Sequence, residues 1–166
     1  MTLREPVLKP IRWKTFPRDF VVIQIGFALF GLSIAMLIRA SLGTSPWVML
    51  EVALSQITSL TPGTLSVIVG FVILLASLSL RERIGWGTLA NIVFIGPWED
   101  LALSKIPAVT NNFPVQLGML LAAALMMGMA SAIYIGVDAG AGPRDSLMLA
   151  VKRISGWSLR RGRAGI

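Results

Sequence analysis

An uncharged apolar run near the N-terminus limits what this chain can fold into. The run Phe20–Ile38 holds 19 consecutive residues without a charged side chain. An α-helix rises about 1.5 Å per residue, so about 20 such residues cross the hydrocarbon core of a bilayer. The run is longer than the apolar core of a typical signal peptide, and it lacks a convincing small-residue cleavage site. It therefore predicts an uncleaved first membrane span.

The overall composition agrees with a membrane protein and argues against two other classes. Hydrophobic residues make up 55% of the chain and charged residues 14%, whereas soluble domains carry about 25% charged residues. The net charge of +7 could suggest nucleic-acid binding, but the fifteen Lys and Arg residues cluster between apolar runs, as topology signals do. The predicted surroundings are therefore the lipid bilayer, with no nucleic-acid partner.

The chain contains neither Cys nor His. Their absence excludes thiolate chemistry and disulfides, and it removes the commonest general base and metal ligand. The acidic residues are scattered near the ends of the apolar runs, so no nucleophile with a base is visible. We therefore expect no catalytic, cofactor or metal site, and we do not expect an enzyme.

The pattern predicts an all-α fold, a polytopic helical membrane protein with about four transmembrane helices and two short re-entrant or interfacial helices. The predicted spans are about 20–38, 63–80, 84–103 and 115–137, and the short helices are 46–58 and 143–155. Each short helix follows a Gly-Pro break and is too short to cross a bilayer. The predicted units are a basic cytoplasmic tail (1–19), a first membrane repeat (20–112) and a partial second repeat (113–166).

An internal repeat is predicted from residue matches at an offset of 97 positions. The identical pairs are Gly31/Gly128, Ala35/Ala132, Ile38/Ile135, Gly43/Gly140, Pro46/Pro143, Leu50/Leu147, Ala53/Ala150 and Ile57/Ile154. If 84–103 crosses the membrane, each unit has three spans, and an odd number inverts the second copy. The counterpart of 63–103 would occupy about 160–200. We therefore expect a truncated or frameshifted version of a protein with about six spans.

The positions of the basic residues predict the orientation. With the N-terminus inside and four spans, thirteen of the fifteen Lys and Arg residues are cytoplasmic. The two exceptions are Arg39 and Lys105. Because cytoplasmic loops are enriched in Lys and Arg, both termini are expected in the cytoplasm of a bacterium, with the chain in its inner membrane.

Four short motifs occur in a fixed order along the chain. They are Gly43-Thr44-Ser45-Pro46-Trp47, Ile84-Gly85-Trp86-Gly87-Thr88 with Asn91, Gly96-Pro97 with Asp100, and Gly140-Ala141-Gly142-Pro143-Arg144-Asp145. Together they resemble the YczE/YyaS-type bacterial membrane proteins over about residues 20–157. The resemblance implies a multi-pass inner-membrane protein without an established activity. Val48 departs from the family pattern, which usually has Asp after the Trp.

The two Gly-Pro breaks suggest a transporter. Short helices that begin at such breaks resemble the discontinuous helices of transporters, whose N-terminal dipoles face a substrate near the membrane centre. The candidate substrate-site residues are Thr44, Ser45, Pro46 and Glu51 in the first half, Pro143, Arg144 and Asp145 in the second, and Asn91 and Asp100 from the third span. An unknown small solute is the ligand that this hypothesis requires.

Each candidate also has a simpler interpretation. Ser45 and Asp145 suit the N-termini of their own helices. Arg144 fits a topology signal, and Asp100 fits a solvated position at the interface. Glu51 could lie in water if its helix is interfacial. At the level of the protein, a non-transporting accessory or scaffold role, with a membrane partner or a second copy of the chain, therefore stands beside transport.

Overall fold

The structure, a computed structural model, describes residues 11–79, 84–140 and 142–144. These residues form the helices α1 (Phe16–Ala40), α2 (Pro46–Ile57), α3 (Pro62–Ser79), α4 (Trp86–Lys105) and α5 (Phe113–Gly136). The predicted all-α class is confirmed for this part of the chain. The predicted helix 143–155 is described only at Pro143 and Arg144, and its remainder, with Asp145, lies outside the described residues.

Proline opens the helices in a recurring way. Pro17, Pro46 and Pro114 each occupy the first turn of a helix, where the missing N–H has no intrahelical partner to lose. The side chain of Ser45 accepts a hydrogen bond from the Val48 amide at 3.4 Å, as expected for an N-cap. Because Pro17 lies in the first turn of α1, this helix begins at Phe16, a few residues before the predicted start of the first span.

α4 runs unbroken through Gly96 and Pro97, a motif inside the predicted span 84–103. The glycine lets α3 come close, because a Cβ atom at Gly96 would meet the carbonyl oxygen of Gly63 and lie 2.8 Å from Cγ2 of Val67. The exposed side chain of Pro97 points away from this contact. Gly96 therefore serves helix packing here, whereas Pro97 does not.

Contacts at both ends of α1 give its direction relative to two other helices. Arg12 Nη2 donates to the Val137 carbonyl at 2.6 Å, and the Val109 amide donates to the Arg39 carbonyl at 3.0 Å, so α5 runs antiparallel to α1. Arg39 Nη2 also donates to the Leu103 carbonyl at 2.6 Å. Because the beginning of α1 meets the beginning of α4 at Trp86, whose ring lies 5.0 Å from that of Phe16, these two helices run parallel.

α3 runs antiparallel to α4. The Gly63 amide at the start of α3 lies 2.9 Å from Oδ1 of Asp100, whereas Gly70 faces Ile92 nearer the start of α4. α1 and α4 therefore point one way, and α3 and α5 point the other. Of the described helices, α1 and α5 are long and apolar enough to cross a bilayer.

The buried core lies mainly between α1, α4 and α5. Ile23, Phe27 and Ile34 supply the α1 side of this core, Ile95 comes from α4, and Tyr134 comes from α5. The Phe27 and Tyr134 rings are 6.0 Å apart. Polar side chains that enter this region are therefore held by several helices at once.

The chain turns in the same way after α1 and after α5. Ser41 and Asp138 both have a φ of 55°, and two residues later Gly43 and Gly140 have φ values of 118° and 130°. The members of each pair are 97 positions apart, the offset of the sequence matches. The second turn is anchored on α4, because the Gly87 amide donates to the Ala139 carbonyl at 3.0 Å.

Candidate functional site

An ion pair between Glu51 and Arg144 is the central polar feature of the described structure. Glu51 lies on the buried face of α2 with an exposure of 0%, one turn after the buried Val48. Nη2 of Arg144 donates to Oε1 of Glu51. A carboxylate removed from water requires such a partner, because an isolated charge is strongly destabilised in a low-dielectric interior.

Two further groups hold the Arg144 guanidinium. Its carbon lies 5.8 Å from the centroid of the Trp47 ring, within the range of a cation–π interaction. Its Nη2 atom lies 3.4 Å from Oγ of Ser66 on α3. Arg144 thus connects the segment after α5 to both α2 and α3.

Arg144 also lines an internal cavity of about 110 Å³, which we call the central cavity. Its other polar walls are Ser66 and Asn91, and Tyr134 faces it from α5. The lining residues Phe30 and Gly70 lie in the middle parts of α1 and α3. The cavity is therefore near mid-height of the helix bundle.

A second, more open space of about 330 Å³ lies where α1 and α4 end and α3 begins. We call it the Asp100 recess. Its walls are Ile38, Arg39, Val52, Thr61, Pro62, Asp100, Leu103 and Ser104. Along α1, Ile34 lines the central cavity and Ile38 lines the recess. The two spaces therefore follow one face of α1, about one helical turn apart.

Glu99 lies on the matching face of α4, between these two spaces. Ile95 lines the central cavity and Leu103 lines the Asp100 recess, and Glu99 lies four residues from each. The side chain is 0% exposed, and neither carboxylate oxygen has a hydrogen-bond partner among the described residues. The sequence prediction selected the neighbouring Asp100 and missed Glu99. The helical spacing of Ile92, Ile95 and Glu99 was the signal for a buried carboxylate here.

Asp100 instead supports the start of α3. Its Oδ1 accepts from the Gly63 amide at 2.9 Å, and its Oδ2 accepts from the Thr61 hydroxyl at 2.5 Å. A carboxylate in this position satisfies free N–H groups and complements the helix dipole. Its contacts are those of a helix cap supplied by a neighbouring helix.

Apart from Asp100, which caps α3, the predicted candidates within the described residues separate into two groups. Glu51, Arg144, Asn91 and Pro143 belong to the ion pair or the central cavity. Thr44, Ser45 and Pro46 open α2 and are absent from the cavity walls. Within the described ranges, no three Asp or Glu residues lie close enough together to hold a metal ion. The arrangement can recognise a small polar group through one guanidinium, one amide and one hydroxyl.

Comparison with known proteins places these features in a family. Residues 17–166 match the model of a family of unknown function, DUF6198. YczE of Bacillus subtilis (strain 168), named an uncharacterized membrane protein, is 30% identical over 157 residues, which are 94% of this chain and 70% of YczE. YyaS of the same strain is 30% identical over 139 residues, 82% of this chain and 69% of YyaS.

A third relative comes from Haemophilus influenzae (strain ATCC 51907 / DSM 11121 / KW20 / Rd). This uncharacterized protein is 26% identical over 139 residues, which cover 84% of the chain and 63% of the relative. No solved structure is significantly similar to the chain. The resemblance to YczE and YyaS that the four motifs predicted is confirmed. The chain is a membrane protein and belongs to the family of unknown function DUF6198.

Proposed function

We propose that this chain is a multi-pass protein of the bacterial inner membrane that transports a small polar solute and catalyses no covalent reaction. The observation that carries this proposal is the Glu51–Arg144 pair, which is buried beside the central cavity. Ionisable residues within a membrane are energetically costly and commonly mark a substrate or ion pathway. A pair needed only for stability could be replaced by apolar side chains at little cost.

The helix directions support a four-span topology. α1, α3, α4 and α5 alternate in direction along the chain, which matches successive crossings. This arrangement puts Arg39 and Lys105 on one side of the bundle and Arg12 on the other. We place the N-terminal basic residues and the C-terminal basic stretch in the cytoplasm, because this orientation satisfies the positive-inside rule.

The two similar turns support an inverted repeat. The repeated φ values at Ser41/Asp138 and Gly43/Gly140 occur at the 97-residue offset of the sequence matches, and α1 and α5 run antiparallel. Inverted repeats with broken helices place a substrate site between the two halves. Here Glu51 follows the first break and Arg144 follows the second, so each half contributes one member of the ion pair.

The proposed route joins the central cavity to the Asp100 recess. Glu51 and Glu99 are both fully buried, and Val52 and Asp100, their neighbours in sequence, line the recess. In the structure, the two spaces have different lining residues, and Arg144 is paired with Glu51. Solute passage requires Arg144 to exchange part of its contact with Glu51 for a contact with the solute.

Ligand binding to the purified chain tests this proposal. The chain would be screened in detergent against small organic acids, amino acids, sugars and inorganic anions, with the melting temperature as the readout. A solute that binds the native state raises this temperature by mass action. We expect one class to do so in the wild type and in Lys105→Gln, the matched control, but not in Arg144→Gln. Uptake of that solute into proteoliposomes completes the test.

The accessory-protein alternative predicts a different result. In that case no solute stabilises the folded chain, no solute enters proteoliposomes, and crosslinking in cells recovers the same membrane partner repeatedly. That combination would overturn the transporter proposal.

A further inference from the structure

Glu99 has a different electrostatic environment from Glu51, although both carboxylates are fully buried. Glu51 has Arg144 as its partner. Both oxygens of Glu99 lack a hydrogen-bond donor within the described ranges. Helix α1 lies close to the α4 backbone here, since a Cβ atom at Gly31 would be 2.7 Å from the Glu99 nitrogen. This close packing leaves little room for solvent on that side.

Neither oxygen of Glu99 is hydrogen-bonded to a cation among the described residues. Arg39, at the end of α1, donates from Nη2 to the neutral Leu103 carbonyl, and its buried Nε has no hydrogen-bond partner among the described residues. α2 presents the like charge of Glu51, and α3 (Pro62–Ser79) contains no charged residue. On α4 itself, Asp100 is bonded to Thr61 and Gly63. Arg144 is already shared between Glu51, Ser66 and the Trp47 ring.

Glu99 is thus a fully buried carboxyl group without a hydrogen-bond partner among the described residues. An ionised carboxyl group without hydrogen bonds in an apolar interior is costly, and the group takes up a proton instead. A second negative charge near Glu51 would add repulsion. The Asp100 recess is open and lies one helical turn away at Leu103, so water that enters it would come close to this position.

We propose that Glu99 is a reversible proton-binding site that exchanges its proton with water in the Asp100 recess. In this exchange the carboxylic acid and a water molecule become a carboxylate and a hydronium ion. When Glu99 loses its proton, it becomes a second anion that can compete with Glu51 for Arg144. The use of this step to couple proton movement to solute transport rests on the proposed function.

Labelling with dicyclohexylcarbodiimide tests proton binding directly. This apolar reagent reacts with protonated carboxyl groups in apolar surroundings. The full chain in proteoliposomes would be labelled across a pH series, and peptide mass spectrometry would locate the adduct. We expect the adduct on Glu99, with a yield that falls about tenfold per pH unit above the midpoint, as for release of one proton.

A matched pair of variants controls this experiment. Glu99→Gln should remove the adduct, whereas Asp100→Asn should leave labelling of Glu99 in place, because Asp100 is a separate, hydrogen-bonded carboxylate. The wild-type result stands even if Glu99→Gln fails to fold, since the adduct is mapped in the wild-type peptide. The proposal would be overturned if the adduct is absent or if its yield does not depend on pH. Protection of Glu99 by Na⁺ at constant pH would also overturn it, because such protection indicates a metal-cation site.

A second measurement separates this inference from the proposed function. Once a solute is identified, its uptake would be driven by an inwardly directed proton gradient. Coupling predicts accumulation that a protonophore abolishes and that Glu99→Gln loses while downhill exchange of the solute continues. If labelling of Glu99 depends on pH but no solute is transported, proton binding holds and the transporter proposal fails.

Discussion

The Glu51 carboxylate depends on a guanidinium that comes from a segment 93 residues further along the chain. This dependence makes the pair more sensitive to single substitutions than to double ones. Removal of one partner leaves a buried charge uncompensated, whereas removal of both charges eliminates the problem. A double-mutant cycle therefore measures the coupling between the two halves of the proposed site.

We expect Arg144→Gln to lower the free energy of unfolding by roughly 3 kcal/mol, because Glu51 then lacks its cation. The double variant Glu51→Gln/Arg144→Gln should recover most of this loss. Denaturant unfolding of the purified chain in detergent micelles checks both values. If the two single losses add in the double variant, the residues do not interact in the folded protein.

The sequence allowed part of this site to be predicted. Glu51 stood out as a carboxylate in an apolar helix, and Arg144 and Asn91 stood out by their places in the motifs. The pairing of Glu51 with Arg144 depends on how α2, α3 and the segment after α5 pack, which no local pattern encodes. Glu99 was missed because its adjacent Asp100 and nearby helix end resembled a solvated interface.

Helix α1 approaches α4 closely at Gly31, which has no side chain. A Cβ atom at Gly31 would lie 2.7 Å from the Glu99 nitrogen and 2.8 Å from Cβ of Trp98. Such distances force the helices apart. The same contact buries Glu99 on the side that faces Gly31, so this packing also governs the proposed proton site.

Gly31→Ala should therefore lower stability by about 1–3 kcal/mol, the usual cost of overpacking. Gly128→Ala is a matched control on α5, because a Cβ atom there meets nothing within 4 Å. Its stability should change by less than about 1 kcal/mol. Melting temperatures of the two variants in the same detergent make the comparison. Equal losses would contradict the close α1–α4 contact.

The start of α3 depends on a carboxylate from another helix. Asp100→Ala removes the acceptor of the Gly63 amide and of the Thr61 hydroxyl. We expect a loss of about 1 kcal/mol, as for other N-terminal caps. Hydrogen exchange should show faster exchange at the Gly63 amide than in the wild type. Unchanged exchange there would show that this capping contact is absent in the membrane.

Helix positions were easier to predict than helix contacts. Apolar runs and prolines gave all five described helices to within a few residues at each end, because both signals are local. The close approach of α3 to Gly96 was not apparent, since it depends on the packing of two helices. Helix positions thus follow from local sequence signals, whereas contacts between helices follow from tertiary packing.

At the scale of the whole molecule, the alternating helix directions predict which loops lie on each side of the membrane. Because the chain contains no Cys, cysteine labelling can test this topology. Single cysteines can be introduced at Ala108, between α4 and α5, and at Trp13, before α1, without interference from native thiols. In intact spheroplasts, a membrane-impermeant maleimide should label Ala108→Cys but not Trp13→Cys. In permeabilised cells, the maleimide should label both cysteine variants. Labelling of both sites, or of Trp13→Cys alone, in intact spheroplasts would contradict the four-span orientation.

The bond between the Gly87 amide and the Ala139 carbonyl has a mechanical consequence for the bundle. It attaches the chain to the start of α4 five residues before Arg144. This attachment limits where the guanidinium can lie. Gly140, with its φ of 130°, packs against the same place at the start of α4, because a Cβ atom there would lie 2.7 Å from Oγ1 of Thr88 and 2.9 Å from the Gly85 nitrogen. The start of α4 and the chain that leads to Arg144 are therefore mechanically coupled, and we expect a movement of one to displace the other.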